Sequence, residues 1–346
     1  MTQVALYRKY RPQAFDQVVG QDQVVKTLHG AIAKGNISHA YLFAGTRGTG
    51  KTSIARIFAK EIGTHENDLY ELDAASNRGI DEMRSLREAV NTLPFSSRYK
   101  VYIIDECHML TKEAFNALLK TLEEPPSHVV FILATTEIEK LPDTIVSRCE
   151  THIFKQPSRA VLKDRIQQVA KLEGFEIESA VAELIALLAD GSFRDALGVL
   201  QKVINTSGDT KITFDEVSLI TGAPKKELVN DVITALEERD AKKGLEALRS
   251  AADGGVDMRI FAKLLLEKMR AVLLLRYVPS MREQFAADFS PDDMKLLEDH
   301  AVRSLSQINS KSLVAFLDAY TEIGKASVAQ LPLELALLEV IGNTVS

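Results

Sequence analysis

Gly45-Thr46-Arg47-Gly48-Thr49-Gly50-Lys51-Thr52 has the form G-x-x-x-x-G-K-T, the pattern of a loop that cradles phosphate. Its glycines allow the tight turns that bring the backbone of Gly45, Thr46, Arg47, Gly48, Thr49 and Gly50 onto phosphate oxygens. Lys51 is placed to reach the β/γ-phosphates, and the Thr52 hydroxyl to ligate Mg²⁺. The flanks fit that reading. Ala40-Tyr41-Leu42-Phe43-Ala44 is a short apolar run suited to a buried parallel strand, and Ile54, Ile57, Phe58 and Ile62 recur at helical spacing directly afterwards. A strand thus feeds a loop that opens a helix, whose N-terminus adds its own attraction for anions.

Upstream, Val24, Val25, Leu28 and Ile32 predict a helix over residues 22–34, stopped by Gly35-Asn36. The basic stretch Leu6-Tyr7-Arg8-Lys9-Tyr10-Arg11-Pro12 before it reads as an exposed arm. Downstream, Leu69-Tyr70-Glu71-Leu72-Asp73 predicts a second strand and residues 81–92 a helix. Lys100-Val101-Tyr102-Ile103-Ile104-Asp105-Glu106 is an apolar strand ending in two carboxylates. Phe115, Leu118, Leu119 and Leu122 share one face of a helix over residues 111–124, which Pro125-Pro126 ends. Val129-Val130-Phe131-Ile132-Leu133-Ala134 and Thr151-His152-Ile153-Phe154 are the last two strands. Five strands alternating with helices, without hairpin signals, predict a three-layer α/β domain over residues 1–156 with a parallel five-stranded sheet.

Beyond Pro157 the strand signal disappears. Ser158 is placed to cap a helix carrying Val161, Leu162, Ile166 and Val169, and a second helix around Val181, Leu184, Ile185 and Leu188 ends at Gly191. A third starts near Arg194, and Thr213 with Glu216 forms a capping box for a fourth. These make a small helical domain over residues 157–222. Pro224 and Lys225-Lys226-Glu227 mark a boundary, and residues 223–346 read as helical throughout, with no catalytic motif, as an interaction or oligomerisation domain.

The 346 residues are 46% hydrophobic and 26% charged, ordinary for a globular protein with a substantial core. No apolar run is long enough for a transmembrane helix and the start lacks a signal-peptide core, so a cytoplasmic location without membrane contact is expected. Cys107 and Cys149 are too few for a disulfide framework or a four-thiolate zinc site. With a net charge of −6, any contact with nucleic acid has to come from a local basic surface.

Asp105-Glu106 would be presented at the carboxyl edge of the sheet, beside the phosphate loop. There Asp105 would hold Mg²⁺, and Glu106 would polarise an attacking water; phosphoryl transfer asks for little beyond such positioning and charge neutralisation. Thr135-Thr136 ends the next strand, where a hydroxyl can serve the γ-phosphate or simply cap the strand. Arg148 precedes the last strand and suits a reach toward a neighbouring molecule's site, whereas Arg194 starts a helix and suits the chain's own γ-phosphate. Read alone, either arginine also fits a surface ion pair.

Collectively these stretches resemble the AAA+ clamp-loader ATPases. The matching residues are Tyr7-Arg8-Lys9-Tyr10-Arg11-Pro12 with Val19-Gly20-Gln21, Ser38-His39-Ala40-Tyr41-Leu42-Phe43, and Leu72-Asp73-Ala74-Ala75-Ser76-Asn77-Arg78-Gly79. Asp105-Glu106-Cys107-His108-Met109-Leu110, the run from Asn116 to Pro126, Ala134-Thr135-Thr136, Ser147-Arg148-Cys149 and Gly191-Ser192-Phe193-Arg194-Asp195-Ala196-Leu197 complete the set, with Leu331-Pro332-Leu333-Glu334-Leu335-Ala336-Leu337-Leu338 a weaker match in the tail. The resemblance implies an ATP- and Mg²⁺-dependent ATPase with a helical lid and a collar that joins several subunits into a ring on primer-template DNA. ATP binding would open a sliding clamp and hydrolysis release it. Lys51, Thr52, Asp105 and Glu106 keep the roles above, Thr136 becomes sensor 1, Arg194 sensor 2 and Arg148 an arginine finger in trans, with Arg11 and Val19 near the adenine.

The family's cysteine-rich zinc module is replaced by Lys60-Glu61-Ile62-Gly63-Thr64-His65-Glu66-Asn67-Asp68, so structural zinc is not expected. By the same resemblance the chain is expected to end at the collar, without the tail of the family's long form. Arg78 and Lys112 are the candidates for DNA backbone contact, and Leu93 and Phe95 for the clamp. Two competing readings are a branch-migration type of AAA+ remodeller, which the all-helical tail opposes, and a non-hydrolysing structural subunit, which intact Lys51, Asp105 and Glu106 oppose.

Overall fold

The computed structural model describes residues 4–77, 79–303 and 306–342. In chain order the first elements are α1 (Leu6–Lys9), α2 (Asp22–Lys34), β1 (Ala40–Ala44), α3 (Lys51–Glu61), β2 (Leu69–Asp73), α4 (Ile80–Val90), β3 (Lys100–Asp105), α5 (Lys112–Glu123), β4 (Val129–Thr135), α6 (Asp143–Val146) and β5 (Glu150–Ile153). They are followed by α7 (Arg159–Leu172), β6 (Glu176–Ile177), α8 (Ser179–Leu188), α9 (Phe193–Thr206), β7 (Lys211–Ile212), α10 (Phe214–Thr221), α11 (Lys226–Glu238) and α12 (Ala241–Asp253). The remaining helices are α13 (Met258–Tyr277), α14 (Arg282–Asp288), α15 (Pro291–Ala301), α16 (Ser310–Glu322) and α17 (Leu331–Gly342). The chain divides into two compact units, Met1–Leu162 with Ala189–Gly198, and Lys163–Leu188 with Val199–Ser346.

In the first unit the strands lie in the order β2-β3-β4-β1-β5, every pairing parallel. Strand alternation divides the apolar side chains between two faces. Tyr41, Phe43, Val101, Ile103, Val130 and Ile132 bury against Val24, Leu28, Ile54, Ile57 and Phe58 of α2 and α3. On the other face Leu42, Tyr102, Ile104, Phe131 and Leu133 meet Met83, Leu86, Phe115, Leu118 and Leu122 of α4 and α5. The predicted three layers are therefore present, and β4 runs between β1 and β3, bringing its carboxyl end beside both of theirs.

The second unit has its own core, in which Phe261, Leu265 and Val272 of α13 pack with Val232, Leu236, Leu248, Phe316 and Leu337. Local chemistry sets many of its helix starts. The Thr213–Glu216 capping box is present, Asp257 accepts the N–H groups of Arg259 and Ile260, and Asn309 forms a second box with Ser312. One expectation needs correcting. Strand does recur beyond Pro157, as β6 and β7 pair in parallel through Glu176↔Lys211 and Ile177↔Ile212. A two-residue strand is too short for period-2 alternation to register.

Candidate active site

The phosphate loop leaves β1 at Ala44 and turns through Gly45, Gly48 and Gly50, all at positive φ. At Gly45 (φ +155°) an added Cβ would stand 2.5 Å from the Phe154 carbonyl oxygen, so the loop's entry lies flush against the chain that leaves β5. Gln21, buried, braces the same region: its Nε2 donates to Lys155 O at 2.7 Å and to Thr49 O at 3.3 Å, and its Oε1 accepts the Lys155 N–H. The Phe193 N–H donates to Gly48 O at 3.1 Å, which attaches the start of α9 to the loop. Thr46 and Arg47 are exposed, and Thr49 is buried with its hydroxyl on Thr46 O.

Lys51 is buried, and its Nζ donates to Gly45 O at 2.7 Å and Thr46 O at 2.9 Å, folding the side chain back over the loop. Burial pushes its pKa down while the carboxylates of Glu106 and Asp105 pull it up, with a net lowering. The first hydrogen bond within α3 runs from Ile54 N–H to Gly50 O, so the N–H groups of Lys51, Thr52 and Ser53 have no acceptor within the helix. That is the donor array an anion needs.

At the ends of β3 and β4 the carboxylates and hydroxyls meet. Thr52 Oγ1 donates to Asp105 Oδ2 at 2.7 Å, Thr136 Oγ1 donates to Glu106 Oε2 at 3.1 Å, and the Glu106 N–H donates to Asp105 Oδ1 at 3.0 Å. Glu106 leaves the strand with φ 49° and ψ 42°, left-handed backbone that costs a residue with a Cβ about 1–2 kcal/mol.

Of the predicted arginines, two lie near this cluster. Arg11 Nε donates to Ser53 Oγ at 3.1 Å, and its pKa is lowered by burial and by Arg56, against the pull of Glu71. Arg194 stacks over the Tyr7 ring, 5.8 Å from its centroid. Arg148 is held elsewhere: its Nη2 pairs with Glu123 Oε1 at 2.7 Å and its Nη1 donates to Thr144 O at 2.7 Å. Val19 is exposed. Cys107 is buried and Cys149 half-buried, both free thiols whose pKa burial raises.

The other candidates stand on the surface. Lys112 is exposed at the first position of α5, and Arg78 lies outside the described residues. Leu93 and Phe95 are 78% and 82% exposed on the loop after α4. Thr135, which with Thr136 offers a hydroxyl for the γ-phosphate or a strand cap, meets His108 Nδ1 and accepts the Glu137 N–H, while Gln21, His108 and Ser192, to which the sequence assigns no role of their own, link parts of the site across long stretches of chain. Nothing in their immediate neighbours signals such links; only their place in the matching stretches does.

A family model described as "DNA polymerase III, delta subunit" matches residues 20–77 and 64–158. Another, "DNA polymerase III subunits gamma and tau domain III", matches residues 212–344. The chain is 39% identical over 340 residues to "DNA polymerase III subunit tau" of Bacillus subtilis (strain 168), covering 92% of this chain and 59% of that protein. The chain belongs to the DNA polymerase III gamma/tau family. A second family member, "DNA polymerase III subunit tau" of Escherichia coli (strain K12), is 36% identical over 301 residues, 81% of this chain and 47% of its own length. The chain therefore spans about half the length of these family members. Among solved structures, "Thermotoga maritima RuvB Holliday junction branch migration motor" superposes with a TM-score of 0.53 at 25% identity over 71% of this chain and 86% of that one, a likeness of AAA+ fold. Among the described residues no helix is long and apolar enough to cross a membrane.

Proposed function

We propose that the chain is the ATP-hydrolysing motor subunit of a DNA polymerase III clamp-loader assembly in the cytoplasm, opening a sliding clamp and loading it onto primer-template DNA. The observation that carries this reading is the meeting of Thr52 on Asp105 and Thr136 on Glu106 beside the phosphate loop. In it the loop and Lys51 hold the phosphates, Glu106 orients the attacking water, Thr136 acts as sensor 1 and Arg194 as sensor 2, with the adenine near Arg11 and Val19. Thr52 and Asp105 offer hard oxygen donors 2.7 Å apart, which fit Mg²⁺, an ion that completes its shell with water and phosphate oxygens. When bound, Mg²⁺ neutralises charge on the transferred phosphoryl group. No group of three or more His, Cys, Asp or Glu among the described residues could hold a metal ion, so the single carboxylate of Asp105 suits a shared, substrate-completed shell.

The same reading divides the chain into an ATPase domain (1–156), a lid (157–222) and a collar (223–346). The match of the gamma and tau domain III model to residues 212–344 supports the last of these. Other clamp-loader subunits would join through the collar, the clamp would meet Leu93 and Phe95, and DNA would be held through its backbone by Lys112 and Arg78. A branch-migration motor is favoured by the RuvB superposition, but that likeness is weaker in identity than the gamma/tau relatives, and residues 212–344 match the gamma and tau domain III model. ATP turnover measured with partner subunits decides: stimulation by sliding clamp and primed DNA is expected. Stimulation by a four-way junction instead, or by neither, overturns the clamp-loader reading.

A further inference from the structure

Glu106 has a second neighbour besides Thr136. The side chain of His108 is 6% exposed, with Nδ1 3.5 Å from Glu106 Oε2 and Nε2 3.3 Å from Glu137 Oε1. The same Nδ1 lies 3.1 Å from Thr135 Oγ1. The hydrogen-bond roles follow from the partners. Thr135 Oγ1 accepts the Glu137 N–H at 3.0 Å, which leaves its own hydrogen to point at Nδ1. An ionised Glu137, paired with Lys140 at 2.7 Å, only accepts, so the ring nitrogen facing it carries the proton. This assigns the tautomer with Nδ1 accepting from Thr135 and the Nε2–H on the side that faces the Glu137 carboxylate. The Nδ1 lone pair then faces Glu106 Oε2 across a gap beyond hydrogen-bond reach, and two acceptors so placed repel. The carboxylate accordingly takes its hydrogen bond from Thr136.

We propose that His108, oriented by Thr135 and Glu137, is a positioning residue that aims the Glu106 carboxylate and so sets the turnover rate without touching the nucleotide. The left-handed backbone at Glu106 is a sparsely populated conformation that neighbouring groups must hold in place, and His108 is a buried group beside the same carboxylate oxygen that takes the Thr136 hydrogen bond. The inference deepens the ATPase reading and rests on it.

The test uses the full chain assembled with its partner subunits, clamp and primed DNA. Asn at position 108 keeps a polar atom where Nδ1 stands, and Gln keeps one where Nε2 stands. H108Q is expected to lower kcat by roughly tenfold with KM for ATP within about twofold, the signature of an interaction that matters in the transition state. H108N is expected to retain most of the rate. T135V should lower kcat as H108Q does, and H108Q/T135V no further, because the two act as one unit. Equal losses in H108N and H108Q, or additive losses in the double variant, would mark an ordinary packing role and overturn the proposal. Should H108Q fail to fold, T135V decides alone, and an unchanged kcat overturns it. E106Q separates the two levels: wild-type turnover no higher than that of E106Q removes the ATPase reading and this inference with it. Wild-type turnover well above E106Q but matched by H108Q removes only the inference.

Discussion

At Gly48 the backbone has φ +77°, and an added Cβ would stand 2.0 Å from Ser192 Oγ and 2.9 Å from Ser192 Cβ. Gly48→Ala therefore meets both backbone strain, about 1–2 kcal/mol, and a collision with a buried side chain. A thermal melt should show a fall of several degrees, and ATP titration a marked loss of affinity. Adding Ser192→Ala removes the hydroxyl but not the Cβ, so it should restore only part of either. Lys51→Ala tests the cradle differently: ATP affinity should fall roughly 100-fold, on the order of 3 kcal/mol, because the charge proposed to meet the phosphates would be gone. Unchanged affinity would contradict the role given to Lys51. At this scale the sequence was informative about what the loop contains and silent about what it packs on. The glycine pattern has a fixed spacing, whereas Ser192 reaches Gly48 only because the chain returns to the loop much later.

The segment after α4 shows how an element is presented. Lys100, buried, donates from Nζ to Ala89 O at 2.8 Å and Thr92 Oγ1 at 2.7 Å, so the end of α4 is capped by a cation from β3. The following turn is fixed by Asp68, whose carboxylate accepts the N–H groups of Phe95, Ser96 and Ser97. Burial alone would raise the Asp68 pKa, but these bonds hold it at about 2. The exposed Leu93 and Phe95 are thus carried on a turn tied at both ends. Asp68 belongs to the short connection between α3 and β2, together with His65, whose N–H donates to Ser97 Oγ at 2.8 Å. A folded pKa below the usual carboxylate value means that Asp68 stabilises the fold above about pH 4, and that this contribution is lost as pH falls toward 2. Asp68→Ala should cost on the order of 3 kcal/mol near neutral pH, and the gap from wild type in urea denaturation should close in acid. A gap independent of pH would argue that the side chain acts by shape alone. The strands and helices around this turn were legible from periodicity, since each has a buried face. The anchoring was not, because Asp68 looks like any polar loop residue until the turn it serves is beside it.

At the scale of the whole molecule, two features bear on how copies of the chain would meet. Val314 and Leu317 on α16, with Leu331, Leu335 and Leu338 on α17, recur at helical spacing yet stay exposed, although neighbouring Phe316 and Leu337 are in the core. As the proposed collar surface, they should tolerate Leu317→Glu with Leu335→Glu without loss of monomer stability, while sedimentation loses the assembled species; an unchanged assembly removes the stripe from the interface. Arg148 is the second feature. Its hydrogen bonds go to Glu123, Thr144 and Ser147 rather than to any residue of the phosphate loop. The pair with Glu123 is partly exposed on both sides, and such a pair contributes no more than about 1 kcal/mol, so a stronger anion on a neighbouring subunit would draw the guanidinium away. On that argument Arg148→Ala leaves the chain's own ATP affinity nearly unchanged and slows hydrolysis in the assembly by roughly 10³-fold, the scale at which a finger acts in trans. Mixing locates the effect. Assemblies that combine Arg148→Ala subunits with hydrolysis-deficient Glu106→Gln subunits should regain turnover wherever a Glu106→Gln subunit supplies Arg148 to an Arg148→Ala neighbour's intact site. Absence of any regain, or a loss of nucleotide affinity in the isolated Arg148→Ala chain, would place Arg148 in the service of its own site.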